Sequence, residues 1–322
     1  YGCFIFYPKW VTSIYNTDSR PAVAVAGVDL LREMRYTGFV YGLNGYHIVF
    51  LSKEDTKIMA TSALCMNCMH CLPEGASACP TCGAAVDEQN LPQYLPVGTL
   101  LSDRYLVGRV QRTDGDAAVY IGYDQVQKAP VGIREFFPDT LCERQADGDL
   151  RPIMGCETLF EEYKEKFRQH ARTVARMRDL PASIPIYDIF PQNETVYAVS
   201  EWCEGKTLDA WLAERGGRLS WDEARPLFIP LTASLISLHE AGVLHLALCP
   251  ENLILTADGK LHIDGFAIAE ARTVSGDLQP HIPAGFAAPE QYRQDAVCGY
   301  AADVYGLAAT IFRTIVGTTP PD

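Results

Sequence analysis

Residues 238–252 read Leu-His-Glu-Ala-Gly-Val-Leu-His-Leu-Ala-Leu-Cys-Pro-Glu-Asn. The first four of them finish a helical pattern over Trp221–Ala241, in which Leu227, Phe228, Leu231, Leu235, Ile236 and Leu238 recur at the spacing of one helix face. The rest sets His245 and Asn252 in a short apolar run. Working back from there, Thr207–Ala213 is a second helical pattern, and Ile184–Phe190 and Thr195–Glu201 read as strands. Glu157–Arg178 is a charged amphipathic helix, and Val131–Phe137 another strand. Arg104–Val110 and Ala117–Asp124 alternate as paired strands around the turn-like Arg-Thr-Asp-Gly-Asp of residues 112–116. Five strands and one helix followed by a mainly helical stretch predict a two-lobed α+β fold.

Several stretches resemble bacterial Ser/Thr protein kinases of the eukaryotic-like type. Arg104–Val110 and Val131-Gly-Ile-Arg-Glu-Phe-Phe-Pro138 look like the first strands of that fold, and Glu201-Trp-Cys-Glu-Gly-Lys-Thr-Leu208 looks like its hinge. Leu238–His245 resembles the approach to the catalytic loop. Ala288-Pro-Glu-Gln-Tyr292 and Asp303-Val-Tyr-Gly-Leu-Ala-Ala-Thr310 resemble two landmarks of the large lobe. The resemblance implies a kinase-like domain over 98–322, with a small lobe at 98–203 and a partial large lobe at 204–322 that stops before the last helices.

The same alignment places the family's chemistry on unsuitable residues. Phosphoryl transfer needs a glycine-rich cradle, a lysine held by a glutamate, a base and metal ligands. Aligned on Val119-Tyr120, the cradle glycines fall on Arg112, Asp114 and Ala117, which suggests an ordinary exposed hairpin turn. The lysine position is Arg134, and its glutamate partner falls on His170, so the usual ion pair cannot form. Both side chains pointing to solvent is the plainer reading. In the catalytic loop His245 and Asn252 are kept, but the base position is Ala247 and the arginine position Leu246. The metal-binding aspartate falls on Gly265, giving Gly265-Phe266-Ala267. Asp264 sits one residue early, which on a strand points to the other face; a one-residue deletion in the Asp258-Gly259 turn would restore it.

These losses predict a catalytically impaired pseudokinase that acts by binding a protein partner, for which a related active kinase or its substrate is the candidate. ATP and Mg²⁺ binding are put in doubt. Two other readings stay open. One is an active Ser/Thr kinase using Arg134, Asn252 and Asp264 in an unusual geometry. The other is a nucleotide sensor that needs no metal, with the adenine against the hinge at Glu201 and Cys203 behind Ser200.

The chain carries eleven cysteines, and five of them crowd into Cys65–Cys82, ahead of this region. Cys65-x2-Cys68 and Cys79-x2-Cys82 form two pairs whose thiolates can complete a tetrahedron around Zn²⁺. This predicts a small structural zinc ribbon over 60–84, stabilised by its metal. Cys71 offers an alternative pair with Cys68 around His70. Residues 85–97 are polar, contain two prolines and read as a linker. Residues 1–58 show no sustained period. They read as a small irregular extension, or as translated leader ahead of a start at Met59, Lys53-Glu54-Asp55 being encodable by a purine-rich string like a ribosome-binding site. The chain opens on Tyr1 and closes after a helix-like stretch, so both ends look cut and a C-terminal remainder is expected.

A formal net charge of −13 argues against nucleic acid and anionic lipid as partners. The sequence has no apolar run of membrane-spanning length and no signal-peptide pattern. With six cysteines scattered singly, these features predict a cytoplasmic protein.

Overall fold

The computed structural model describes residues 63–320, together with the backbone of five short strands nearer the N-terminus. Those strands are β1 (Gly2–Tyr7), β2 (Trp10–Tyr15), β3 (Pro21–Ala22), β4 (Tyr41–Leu43) and β5 (Tyr46–Ile48). They form one sheet in the order β3-β2-β1-β5-β4. An irregular extension was expected there; strands of two to six residues are too short to leave a legible period. Met59 and residues 53–55, on which the leader reading turns, lie outside the described residues. This compact unit also includes Leu64 and Cys71–Ala76, where Leu64 bridges Cys71.

The second unit takes in Cys65–His70 and Ser77–Asp322. Its small lobe is a six-stranded sheet: β6 (Leu100–Leu101), β7 (Tyr105–Thr113), β8 (Ala117–Asp124), β9 (Ala129–Phe136), β12 (Ile186–Gln192) and β13 (Thr195–Glu201), ordered β12-β13-β9-β8-β7-β6. A side hairpin, β10 (Cys142–Arg144) with β11 (Leu150–Pro152), has strands too short to be read from alternation. Helix α1 (Glu157–Ala175) buries Phe160, Tyr163, Phe167, Ala171 and Val174, a three-and-four spacing that makes one stripe despite its charged composition. Phe136 packs between Phe160 and Phe167, with ring centroids 5.4 and 5.5 Å away.

The stretch expected as a linker is pinned to this sheet. Leu95 is buried and its N–H donates to the Tyr120 hydroxyl at 3.1 Å. Asn90 donates to the Gly108 carbonyl and accepts from the Val110 N–H, both at 3.0 Å.

In the large lobe, α2 (Leu208–Glu214) is capped by Thr207, and α3 (Trp221–Glu240) by a reciprocal Ser220–Glu223 box. The strands β14 (Gly205–Thr207), β15 (Leu253–Thr256) and β16 (Leu261–Ile263) form a small antiparallel sheet. Helix α4 (Tyr300–Val316) ends on Gly317 at φ 90°, a left-handed stop that glycine adopts freely. Among the described residues no helix is long and apolar enough to cross a membrane.

Candidate nucleotide cleft

The loop between α3 and β15 is fixed from beneath by one buried carboxylate. Asp303, near the start of α4, accepts from the His245 N–H at 2.8 Å and the Leu246 N–H at 2.6 Å, and bonds His239 Nε2 at 2.9 Å. Leu246 is left-handed at φ 56°, a conformation that costs a branched side chain about 1–2 kcal/mol, and the Asp303 contact holds it. His245 is buried, and burial first of all depresses its pKa despite the attraction of Asp303. Its neutral ring bonds the Asp264 carbonyl through Nε2 at 2.8 Å, while Nδ1 accepts from the Ala247 N–H at 3.3 Å. Asn252 donates to the Ala247 carbonyl at 2.9 Å. The loop is thus a set frame, and at position 247 a buried methyl stands where the family motif has its base.

The direction that faces Asn252 belongs to Gly265. A Cβ there would come within 2.7 Å of the Asn252 side chain, and Gly265 sits at φ 77°. Phe266 packs edge-on to His245 at 4.9 Å between centroids, and lies 6.2 Å from His170. Asp264 does border the cleft, contrary to the expectation that the one-residue shift would turn it away. It does so as the partner of an arginine. Arg112 Nη1 and Nη2 donate to its two carboxylate oxygens, each at 2.9 Å.

That contact is part of a larger ion network, and it overturns the exposed-turn reading of 112–116. Asp114 is 2% and Asp116 0% exposed. The turn folds inward, and a side chain on Gly115 would meet the Gln279 carbonyl at 2.9 Å. Arg134 donates to Asp116 at 2.5 Å and stands 3.8 Å from Asp114. Asp116 also accepts from the Ile268 N–H at 3.0 Å, tying the turn to the segment after Phe266. Arg112 Nε reaches Asp114 at 3.2 Å. The buried Arg272 stands 3.9 Å from Asp114 and donates to the carbonyls of Gly265 and His281, at 2.7 and 2.8 Å.

Three arginines here face three aspartates, so the cluster is neutral within itself. Burial opposes the Asp114 charge, but Arg112, Arg134 and Arg272 together pull its pKa below the usual range. Burial opposes the Arg112 charge too, and Asp264 and Asp114 outweigh it. At Asp116 burial wins and raises the pKa in spite of Arg134. Burial likewise lowers that of Arg272.

Arg134 and His170 do not point to solvent, as the plainer reading had it. The Arg134 guanidinium lies 5.5 Å from the Phe167 ring centre, and His170 Nε2 is buried with no hydrogen-bond partner among the described residues. Burial, then the charge of Arg134, pushes His170 down to about 3, so it is a neutral ring. At the hinge Glu201 accepts from the Tyr187 hydroxyl at 3.0 Å. The Cys203 thiol is pushed up to about 12 by burial, helped by Asp264. Between hinge and network the space bordered by Arg112, Arg134, His170, Ser200, Asp264 and Phe266 is about 70 Å³. Ligand pockets usually measure about 300–1,000 Å³. A larger hollow of about 560 Å³ between α1 and residues 268–270 is an open surface groove, crossed by the Lys166–Glu270 pair at 2.7 Å.

Of the residues forming the network, Arg272 escaped the sequence reading entirely. Its one signal is an arginine among small residues in Ala-Ile-Ala-Glu-Ala-Arg-Thr, 267–273.

A second cluster lies against the middle of β7, where the Arg109 N–H donates to the Met66 carbonyl. The ligand atoms of Cys65, Cys68, Cys79 and Cys82 all fall within 4.8 Å of one another. Cys65 and Cys82 sulfurs are 3.6 Å apart, as are those of Cys68 and Cys79. Ligands at about 2.3 Å from a tetrahedral Zn²⁺ would stand about 3.8 Å apart, so the set fits the ion. The Cys82 amide and neighbouring groups lower the Cys79 thiol to about 6. Cys71 is exposed and does not belong to the set.

Comparison with known proteins gives a consistent picture. The family model of the protein kinase domain matches residues 157–322. The serine/threonine-protein kinase PknL of Mycobacterium tuberculosis is 28% identical over 224 residues, covering 69% of this chain and 51% of that protein. PknH of the same species is 29% identical over 161 residues, covering 49% and 25%. The chain therefore spans about half the length of PknL. Among solved structures, the apo form of PpkA-294 aligns with a TM-score of 0.60 and 24% identity, covering 71% of this chain and 81% of that one. That likeness speaks to fold.

Proposed function

Because this chain belongs to the protein kinase family, we propose that it is a pseudokinase, a kinase-fold signalling protein that works by binding a protein partner. The observation that carries this is the inward-folded turn. Asp114 and Asp116 lie where the family alignment puts the phosphate cradle, and they hold Arg134 and Arg112, the cations a nucleotide would need. Paired in this way, the arginines are not offered to a triphosphate, and the remaining space is small. The residues do not fit Mg²⁺–ATP: Ala247 supplies no base, Gly265 no metal ligand, and Asp264 is engaged by Arg112. A related active kinase or its substrate is the partner class proposed. The four-cysteine set is read as a structural Zn²⁺ site.

The test is thermal stability of the purified chain with ATP, with and without Mg²⁺, beside a radiolabelled phosphate-transfer assay. No shift and no transfer are expected. A shift in ATP alone would favour a metal-independent sensor, in which phosphates displace Asp114 and Asp116 from the arginines. A Mg²⁺-dependent shift with transfer would overturn the pseudokinase reading.

A further inference from the structure

The cysteine cluster meets the kinase-like lobe through its backbone. Strand β7 pairs with β6 only at Leu100–Leu106 and Leu101–Tyr105, so beyond Val107 its outer edge needs other partners. The first cysteine turn supplies one. The Arg109 N–H donates to the Met66 carbonyl at 2.7 Å. The next edge groups, the Gly108 carbonyl and the Val110 N–H, go to Asn90. Met69, at φ 57° and 4% exposed, closes the contact. A Cβ on Gly108 would run into the Met69 methyl and the Met66 carbonyl, so glycine is required there for space. Arg109 then pairs with Glu88 on the far side of the second cysteine turn.

The two cysteine turns are built alike. Met69 N–H returns to the Cys65 carbonyl at 2.7 Å and Gly83 N–H to the Cys79 carbonyl at 2.8 Å. Each turn is too short to hold its shape alone, so a shared ion would set both. The surface the first turn presents to β7, Met66 through Met69, lies between and just after its two ligands.

Resting on the zinc reading above, we propose that the ion is a brace for the kinase-like lobe: Zn²⁺ on Cys65, Cys68, Cys79 and Cys82 shapes the turn that covers the open edge of β7. Metal occupancy and lobe stability are then linked, and a change in the docking seat must weaken metal binding in return. The same strand carries Arg112 three residues beyond Arg109, so the brace bears on the cleft network as well.

The whole chain is tested with and without a zinc chelator. Metal content is read with a chromogenic chelator, and hydrogen exchange with mass spectrometry follows residues 105–113. One Zn²⁺ per chain is expected. Its removal should lower the melting temperature of the lobe by at least 5 °C and speed exchange in 105–113 at least tenfold. Gly108→Val, which touches no ligand, should weaken zinc retention about tenfold, and the milder Met69→Ala severalfold. A chain that binds one Zn²⁺ yet shows the same exchange and melting after chelation refutes the brace and leaves the zinc reading standing. A chain that binds no metal refutes both.

Discussion

The loop at 245–252 and the cleft beside it use buried charge in opposite ways. In the loop a single carboxylate, Asp303, is turned toward backbone: it takes the His245 and Leu246 N–H groups and holds a left-handed residue in place. In the cleft the charges are turned toward each other, Arg134 to Asp116 and Arg112 to Asp264 and Asp114. The first arrangement specifies a shape that nothing apolar could reproduce. The second neutralises a space, and an apolar filling of similar volume could do that too. One carboxylate thus shapes backbone, while the cleft charges neutralise one another.

The largest expected effect lies in the frame. Asp303→Ala leaves two buried N–H groups and His239 without their acceptor, and should cost roughly 4 kcal/mol in urea unfolding. A loss under 1 kcal/mol would mean that Asp303 is not the anchor. The cleft should respond differently. Arg134→Met alone strands Asp116 in the interior and should cost about 3 kcal/mol. The double change Arg134→Met with Asp116→Leu should recover at least half of that. If the double variant is no better than the single one, the network is a frame like the loop and the contrast fails.

A pH series sharpens the comparison further. The folded pKa of His170, about 3, lies below its ordinary 6.5, so the native state prefers the neutral ring. Stability from this preference is complete above the ordinary value and is lost as pH falls toward the folded one. The rate is about 1.4 kcal/mol per unit for one proton. Between pH 7 and pH 5 the His170 share amounts to about 2 kcal/mol. His245, also held neutral by burial, acts in the same direction. His170→Leu should therefore flatten the slope of stability against pH in that window without abolishing it. An unchanged slope would show that His170 is not the buried neutral ring described.

Much of this fold was legible from the sequence. Alternation placed the strands at 117–124 and 195–201 where they occur, and helical spacing found α1 and α3. The family alignment found the loop, because its residues are consecutive and its anchor, Asp303, sits in a recognisable stretch. The cleft network was not legible. Arg112 and Asp264 are 152 residues apart, and no local pattern says that two carboxylates in a turn will be met by cations from two other segments, Arg134 and Arg272. Asp114 could be read as standing on a cradle position, but neither it nor Asp116 as buried. Asn90 and Leu95 were missed for a related reason. A polar, proline-bearing stretch looks like a linker until the sheet edge that receives it is known.

The smallest expected effect addresses whether the cleft is one residue from competence. Gly265→Asp restores a carboxylate at the position facing Asn252. The left-handed backbone at φ 77° is among those aspartate tolerates better than most side chains. The Asn252 amide must move, since the new Cβ falls 2.7 Å from it, and the bond from Asn252 to the Ala247 carbonyl weakens. A loss of about 1 kcal/mol is expected. The aspartate would enter a site where Arg112 and Arg134 are already paired and where position 247 carries no base. Thermal stability with Mg²⁺ and ATP should therefore stay as it is in the parent chain. A Mg²⁺-dependent rise in melting temperature from this one change would locate the block at the missing metal ligand, and the inward-folded turn would then be a consequence of that loss and not its enforcement.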